Sequence, residues 1–133
     1  MKIQPDPATA QSISSYGAGW VRIGAEKISH SLVISSSGVR QVWPCSRFAD
    51  LQETHFAPLA NMGAELVIFG SGHTLRFPQA AWIRPLIEKQ IGVETMDAHT
   101  ACRTYNILAF EGRQVVLALL QEAVASGAAD CGL

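Results

Sequence analysis

The segment from Met96 to Leu120 constrains the fold more than any other part of the sequence. It opens on Asp97, a residue type that favours the N-terminal cap of a helix, and Gly112 is the residue type at which helices commonly end. Between them, small or apolar residues recur at helical spacing, at Ala98, Ala101, Cys102, Tyr105, Leu108 and Ala109. Val115 to Leu120 is then apolar without alternation, which is typical of a strand covered on both faces. The segment therefore predicts an α/β architecture in which this strand is central.

The first half of the chain has the pattern of hairpins. Apolar residues at Trp20–Ile23 precede a turn at Gly24–Lys27. Two further stretches, Leu32–Ile34 and Val39–Trp43, flank the turn sequence Ser35–Gly38. We expect these runs to pair as antiparallel strands.

The second half alternates candidate helices with candidate strands. A short helix is predicted over Phe56–Met62, a buried strand over Glu65–Phe69, a second helix over 79–91 and a strand over Val93–Met96. Pro85 lies inside the second of these helices, so we expect it either to kink the helix or to split it. Alternation of this kind predicts crossover units and a partly parallel sheet.

Length and composition indicate one folded domain. The chain has 133 residues, of which 48% are hydrophobic, which is enough for a substantial core. We predict a flexible arm over residues 1–12, a single α/β domain over 13–121 and a flexible tail over 122–133.

Charge and cysteine content exclude several classes of protein. The net charge of −1 provides no basic stripe for nucleic acid, and no apolar run is long enough to cross a bilayer. The start, Met1 to Pro7, resembles neither a signal peptide nor a transit peptide. Three widely spaced cysteines form no disulfide framework. We therefore expect a cytoplasmic protein that binds no nucleic acid and does not insert into membranes.

A glycine-rich loop is the first candidate site. Gly70, Ser71 and Gly72 follow a predicted strand, and loops at the carboxyl ends of strands in α/β sheets often bind ligands. Their backbone N–H groups could hold an anion. The sequence lacks phosphate-loop spacing and has no following lysine, so a tight turn is the competing interpretation.

A polar stripe on the predicted long helix is the second candidate. His99, Arg103 and Asn106 lie at i, i+4 and i+7, on the face opposite the core residues. An arginine there could bind an anion or the carboxylate of a partner protein, whereas the competing interpretation is a solvated helix face. Arg113, beside Gly112, is a further candidate anion ligand, although it could simply pair with Glu111.

The sequence contains no catalytic constellation. Ser71 and His73 lie too close together for a nucleophile and its base, and the carboxylates are scattered. His99 and Cys102 share a helix face, but no second pair of metal ligands accompanies them. We therefore assign no catalytic residue, no metal site and no cofactor, and we lean towards a protein that is not an enzyme.

Beyond these patterns, the sequence resembles one known family. The matching residues, in order, are Ile13, Tyr16, Gly17, Trp20–Gly24, Ser31, Leu32, Trp43, Ile68–Gly72, Phe77, Pro78, Gly92–Glu94, Met96, Asp97, Ala101–Asn106 and Glu111–Arg113. They are similar to the family of mitochondrial complex I (NADH dehydrogenase) assembly factor 3, also known as domain-of-unknown-function family 498. Ser71 stands where the family often has threonine, and Ala98 where a polar residue is expected.

The resemblance implies both a fold and a role. The implied fold has three layers around a mixed sheet of about five strands, with an additional N-terminal β-hairpin layer. The implied role is a bacterial or stand-alone protein-interaction module without established enzymatic activity, whose partners include subunits of a membrane complex such as complex I. We expect a monomer or weak homodimer.

The alternative hypothesis is a domain, or weak enzyme, that binds a small molecule or anion through Gly70–Gly72 and nearby arginines. A concave pocket shared by this loop and Arg103 would favour the alternative, whereas a flat surface with exposed apolar side chains would favour protein interaction.

Overall fold

The computed structural model describes residues 11–122, which form eight strands and three α-helices. The strands are β1 (Ser15–Gly17), β2 (Trp20–Ile23), β3 (Glu26–Ile28), β4 (Leu32–Ser35), β5 (Arg40–Val42), β6 (Leu66–Gly70), β7 (Gly92–Met96) and β8 (Val115–Leu119). The α-helices are α1 (Glu53–Phe56), α2 (Arg84–Glu88) and α3 (Ala98–Phe110), and 3₁₀ turns cover Phe48–Asp50 and Ala57–Asn61.

The predicted arm and tail lie mostly outside the described residues. Of the part that is described, Gln11 accepts a hydrogen bond from Tyr105, and Glu122 forms an ion pair with Arg76. None of the helices within residues 11–122 is both long and apolar enough to cross a membrane.

The strands form two sheets. β1, β2 and β3 make an antiparallel three-stranded sheet, and the larger sheet has the order β5–β4–β8–β6–β7. β8 pairs antiparallel with β4 and parallel with β6, and β6 pairs parallel with β7. The prediction of an α/β fold with a mixed central sheet of five strands and an extra N-terminal β layer is confirmed, and β8 is the middle strand.

The central sheet has a hydrophobic core on each face because all five residues of β8 are buried. Val115, Leu117 and Leu119 face a core that includes α3 and the three-stranded sheet. Val116 and Ala118 face a second core, made with α1, α2 and the 3₁₀ turns. Side chains of a strand alternate between faces, so an unbroken apolar run requires a covering layer on each side.

The helices of the second core differ from the prediction. The helix predicted over Phe56–Met62 begins earlier, as α1, and continues as a 3₁₀ turn with Pro58 in its first turn. The helix predicted over 79–91 is restricted to Arg84–Glu88. Pro85 therefore neither kinks nor splits a longer helix but lies in the first turn of a short one. Proline is tolerated there because the first N–H groups of a helix have no intrahelical partner.

Helix α3 matches its prediction closely. The Asp97 side chain caps it by accepting from the Thr100 N–H at 3.5 Å, and Gly112 ends the segment with φ +86°. Ala101, Cys102, Tyr105 and Ala109 are buried against the sheet. Thus the apolar spacing in the sequence identifies the inner face of this helix.

Tyr105 connects α3 to the start of the described chain. Its ring is fully buried, its hydroxyl donates to the carbonyl oxygen of Gln11, and burial raises the pKa of that hydroxyl. We expect Tyr105→Ala to reduce the free energy of unfolding by about 3–5 kcal/mol, since it deletes a buried aromatic ring. Tyr105→Phe keeps the ring and loses one hydrogen bond, so its expected cost is about 1 kcal/mol. Denaturant melts measure both, and equal losses would contradict the burial of the ring.

Candidate functional site

The glycine-rich loop begins where β6 ends against α3. A Cβ atom on Gly70 would lie 2.7 Å from Leu119 Cδ1 and 3.1 Å from the Ala101 Cβ. The absence of a side chain therefore lets α3 approach the central sheet at this point. This packing gives Gly70 a structural role in seating α3 on the strand, whereas the turn conformation belongs to Gly72, with φ +103°.

Ser71 organises the loop that follows. Its buried hydroxyl donates to the Thr74 carbonyl oxygen at 2.7 Å and accepts from the Arg76 N–H at 2.9 Å. The Arg76 Nη2 also donates to the Ser71 carbonyl oxygen at 2.6 Å. Since the Ser71 hydroxyl is bonded to backbone groups rather than to a histidine, its contacts are those of a structural serine.

Arg76 and Glu122 form an ion pair that the sequence did not reveal. The Arg76 Nη2 lies 2.7 Å from Glu122 Oε1, while the Phe48 N–H donates to Glu122 Oε2 at 2.8 Å. Partial burial alone would raise the pKa of the Glu122 carboxyl, but the hydrogen bonds from Arg76 and Phe48 outweigh it and lower that pKa. These residues are 46 positions apart, and no local pattern in the sequence connects them.

Arg76 is held by contacts within the protein, whereas its sequence neighbours Leu75 and Phe77 are exposed to solvent. The exposed fractions are 53% for Leu75 and 68% for Phe77. This loop therefore carries two exposed apolar side chains on either side of the ion-paired Arg76. This feature was not predicted from the sequence.

The polar stripe of α3 is partly occupied by contacts within the protein. His99 Nε2 donates to the Gly17 carbonyl oxygen at 3.3 Å, and Arg103 Nη1 donates to the Tyr16 hydroxyl at 3.0 Å. Asn106 contacts the chain before β1 with both ends of its amide: Oδ1 accepts from the Ile13 N–H at 2.9 Å and Nδ2 donates to the Ile13 carbonyl oxygen at 2.8 Å. Asn106 was predicted to lie on the face opposite the core residues, and the segment before β1 packs against it there, so the solvated-face interpretation is wrong for this residue.

The outer surface of α3 combines Arg103 with two apolar residues. Ile107 is 58% exposed and Phe110 is 80% exposed. They lie four and seven positions after Arg103, so all three share one side of the helix. Their spacing from Arg103, at i+4 and i+7, is the signal in the sequence that marks this surface.

Arg113 lies far from the glycine-rich loop. Arg113 precedes β8 and Gly70 ends β6, and these two strands run parallel. Arg113 is therefore at the amino ends of the strands and Gly70 at the carboxyl ends. Arg113 forms an ion pair with Glu65 at 3.2 Å rather than with Glu111.

A cavity of about 510 Å³ opens at the carboxyl ends of β6 and β8. Its wall includes Trp20, Gly72, Ala98, His99, Cys102 and Leu120. Gly72 and His99, both candidates from the sequence, thus meet at one cavity, while Arg103 and Arg113 are not part of its wall. Burial raises the pKa of the Cys102 thiol to about 12, so this sulfur stays protonated and unreactive at neutral pH.

Metal-ligating side chains do not gather in the described region. Within residues 11–122, no three side chains of His, Cys, Asp or Glu are close enough together to hold a metal ion. His99 and Cys102 have no third ligand near them in that range.

Comparison with known proteins gives a family match and several relatives. The family model described as "Protein of unknown function (DUF498/DUF598)" matches residues 13–120. The chain is 28% identical over 120 residues to NADH dehydrogenase [ubiquinone] 1 alpha subcomplex assembly factor 3 of Homo sapiens, and 26% identical to the protein of that name in Bos taurus. Each alignment covers 89% of this chain but only 65% of the relative, so the chain spans less than two thirds of these curated relatives.

Solved bacterial structures share the fold. A crystal structure of a Bordetella parapertussis protein is 36% identical, with a TM-score of 0.79, and the alignment covers 87% of this chain and all of that one. A solution structure from Bordetella pertussis, described as a Mth938-like domain, is 31% identical with a TM-score of 0.76. That alignment covers 92% of this chain and 93% of the other.

Asn106 should contribute to folding more than its polar character suggests. Asn106→Ala leaves the Ile13 N–H and carbonyl groups without their partner, so we expect a loss of about 1–3 kcal/mol in the free energy of unfolding. Amide exchange at Ile13 should accelerate in the same variant. Arg103→Ala, on the exposed side of the helix, is the control and should change stability little. Equal effects of the two variants would contradict the assignment.

The ion pair at Glu122 should make stability depend on pH. Because folding lowers the pKa of Glu122, the unfolded state holds the proton more tightly, and the contribution of this group rises with pH. It is complete above the ordinary glutamate pKa of about 4.3 and is lost as pH falls through the lowered folded value. The difference in unfolding free energy between wild type and Glu122→Gln should therefore close in acid. Glu88→Gln, which removes an exposed carboxylate, is the control, and a gap that stays constant with pH would refute the assignment.

Proposed function

The chain belongs to the DUF498/DUF598 family, and from that membership we propose that it is a non-enzymatic protein-interaction module that helps assemble a respiratory membrane complex of the NADH dehydrogenase type. The names of the human and bovine relatives support this role, since both are assembly factors for that complex. The partners would be protein subunits of the complex.

The surface that best suits such a partner is the outer side of α3, formed by Arg103, Ile107 and Phe110. Two apolar side chains of this size standing largely in water favour a covering partner. Arginine and aromatic residues are also enriched among the residues that dominate protein interfaces. The Arg103 guanidinium would bind a carboxylate of the partner at the edge of this apolar pair.

The helix that carries this surface is held firmly. Its inner face is buried against the central sheet, and Asn106 and Tyr105 fasten it to the chain before β1. A rigid surface loses little conformational freedom on binding, which supports its use for recognition.

The chemistry of the described residues supports a role without catalysis. The Ser71 hydroxyl donates to a backbone carbonyl oxygen, and the Cys102 thiol has a raised pKa. A catalytic nucleophile needs a nearby base or a lowered pKa. Ser71 has a backbone carbonyl oxygen as its acceptor instead of a base, and the pKa of Cys102 is raised instead of lowered. The proposed module is cytoplasmic, in keeping with its widely spaced cysteines, and it is proposed to be a monomer or weak homodimer.

The anion-binding alternative has less support. Gly72 and His99 border a common cavity, but the two arginines that would supply positive charge lie elsewhere, and Arg113 is paired with Glu65. Arg76 does lie beside the loop, but Glu122 already compensates its charge, so an anion bound here would gain little from it.

The test is affinity capture of the tagged protein from its native organism, read by mass spectrometry. We expect subunits of the NADH dehydrogenase complex to be enriched with the wild type and lost with an Ile107→Ser, Phe110→Ser double variant. Truncating a dominant interface residue typically costs about 2 kcal/mol or more of binding free energy. The matched control is Leu75→Ser, Phe77→Ser, which removes two other largely exposed apolar residues from the loop after β6.

The possible outcomes test the assembly role and the α3 binding surface separately. Absence of NADH dehydrogenase subunits from the wild-type capture would refute the assembly role. Loss of these subunits only in the control variant would keep the role and move the surface to the loop that carries Leu75 and Phe77.

A further inference from the structure

We propose that the cavity at the carboxyl ends of β6 and β8 is a binding site for an uncharged, predominantly apolar small molecule. This inference is independent of the proposed assembly role, because it uses a different part of α3. Its size, about 510 Å³, lies within the range typical of small-molecule sites. Its place in the fold is also the usual one, since ligands of α/β sheets bind beyond the carboxyl ends of the strands.

Much of the wall is apolar. The indole of Trp20, the side chains of Val21 and Leu120, and the methyl group of Ala98 contribute to it. Cys102 adds a thiol that burial keeps neutral. An apolar ligand would gain the transfer free energy of its own surface here, at roughly 25 cal/mol for each Å² removed from water.

Three polar residues of the wall, Gln121, Glu122 and His99, have partners within the protein, and a fourth, His73, lies exposed at its edge. Gln121 Nε2 donates to the carbonyl oxygens of Ile28 and His30, at 3.1 and 2.8 Å. The Glu122 carboxylate is neutralised by Arg76 and also accepts from the Phe48 N–H. His99 Nε2 donates to Gly17. A charged ligand would therefore lose its hydration against a mainly apolar wall whose Gln121, Glu122 and His99 groups are already engaged, so the site favours a neutral molecule.

The wall is also built before any ligand arrives. The Trp20 ring lies so close over the turn between β1 and β2 that a Cβ atom on Gly17 would be 2.4 Å from its Nε1 atom. The ammonium group of Lys27 lies 5.0 Å from the centre of the same ring, within the range of a cation–π interaction. On the other side, the His99 ring packs at 4.5 Å from Tyr16. A ligand would meet a preformed cavity and would not have to order its walls.

The experiment is a fluorescence titration with Nile red, an uncharged apolar dye that brightens and shifts to the blue in apolar surroundings. We expect saturable binding at a single site of the wild-type protein. Ala98→Trp, which places an indole on the cavity wall, should weaken the affinity by about tenfold or more. Ala81→Trp adds the same side chain at an exposed position away from the cavity and is the matched control, with affinity unchanged.

A second variant covers the case in which Ala98→Trp fails to fold. His99→Trp changes an exposed residue at the rim of the cavity and should weaken Nile red binding in the same way. If the wild type shows no saturable binding, or if all folded tryptophan variants bind as the wild type does, the dye is not in the cavity and the proposal is overturned. Tighter binding of an anionic dye of similar size, lost in Ala98→Trp and kept in Ala81→Trp, would overturn it in favour of a charged site.

Discussion

The burial of β8 on both faces is the constraint on which the rest of the structure depends. Its five residues alternate between two hydrophobic cores, so each face of the central sheet needs its own covering layer. The short helices α1 and α2 cover one face, and α3 together with the three-stranded sheet covers the other. The three-layer architecture is therefore a consequence of one unbroken apolar strand between β4 and β6.

The second layer depends on how closely α3 approaches the sheet. Gly70 allows that approach, because any side chain there would collide with Leu119 and Ala101. Once α3 is in place, Asn106 and Tyr105 hold the chain before β1 through hydrogen bonds to Ile13 and Gln11. The first strands thus join the core through side chains that lie more than 90 positions later in the sequence. The close packing at Gly70 and the docking of the N-terminal sheet therefore both involve this helix.

Local patterns in the sequence predicted the parts of the fold that depend on residues close together in the chain. The cap at Asp97, the stop at Gly112 and the apolar run of β8 all follow from residues within a few positions of one another. Pro85 was misjudged because the helical spacing over 79–91 extended beyond the residues that actually form the helix. Asn106, Arg76 and Glu122 escaped prediction because their partners are distant in the sequence, and a polar residue on a helix looks solvated until the segment that packs against it is known. The three-layer arrangement itself came from the family resemblance rather than from spacing.

Helix α3 divides its surface among three tasks, and this division explains why only part of the predicted stripe suits a partner protein. The inner residues are buried in the core. His99 forms a hydrogen bond with Gly17, and Asn106 forms hydrogen bonds with Ile13. The side that carries Ile107 and Phe110 remains exposed in the described structure, and burying apolar side chains there would gain free energy without breaking a contact of the fold. Breaking the Asn106 contacts would instead leave two backbone groups of Ile13 unpaired. A partner that binds α3 is therefore favoured on its outer side, where covering Ile107 and Phe110 breaks no hydrogen bond of the fold.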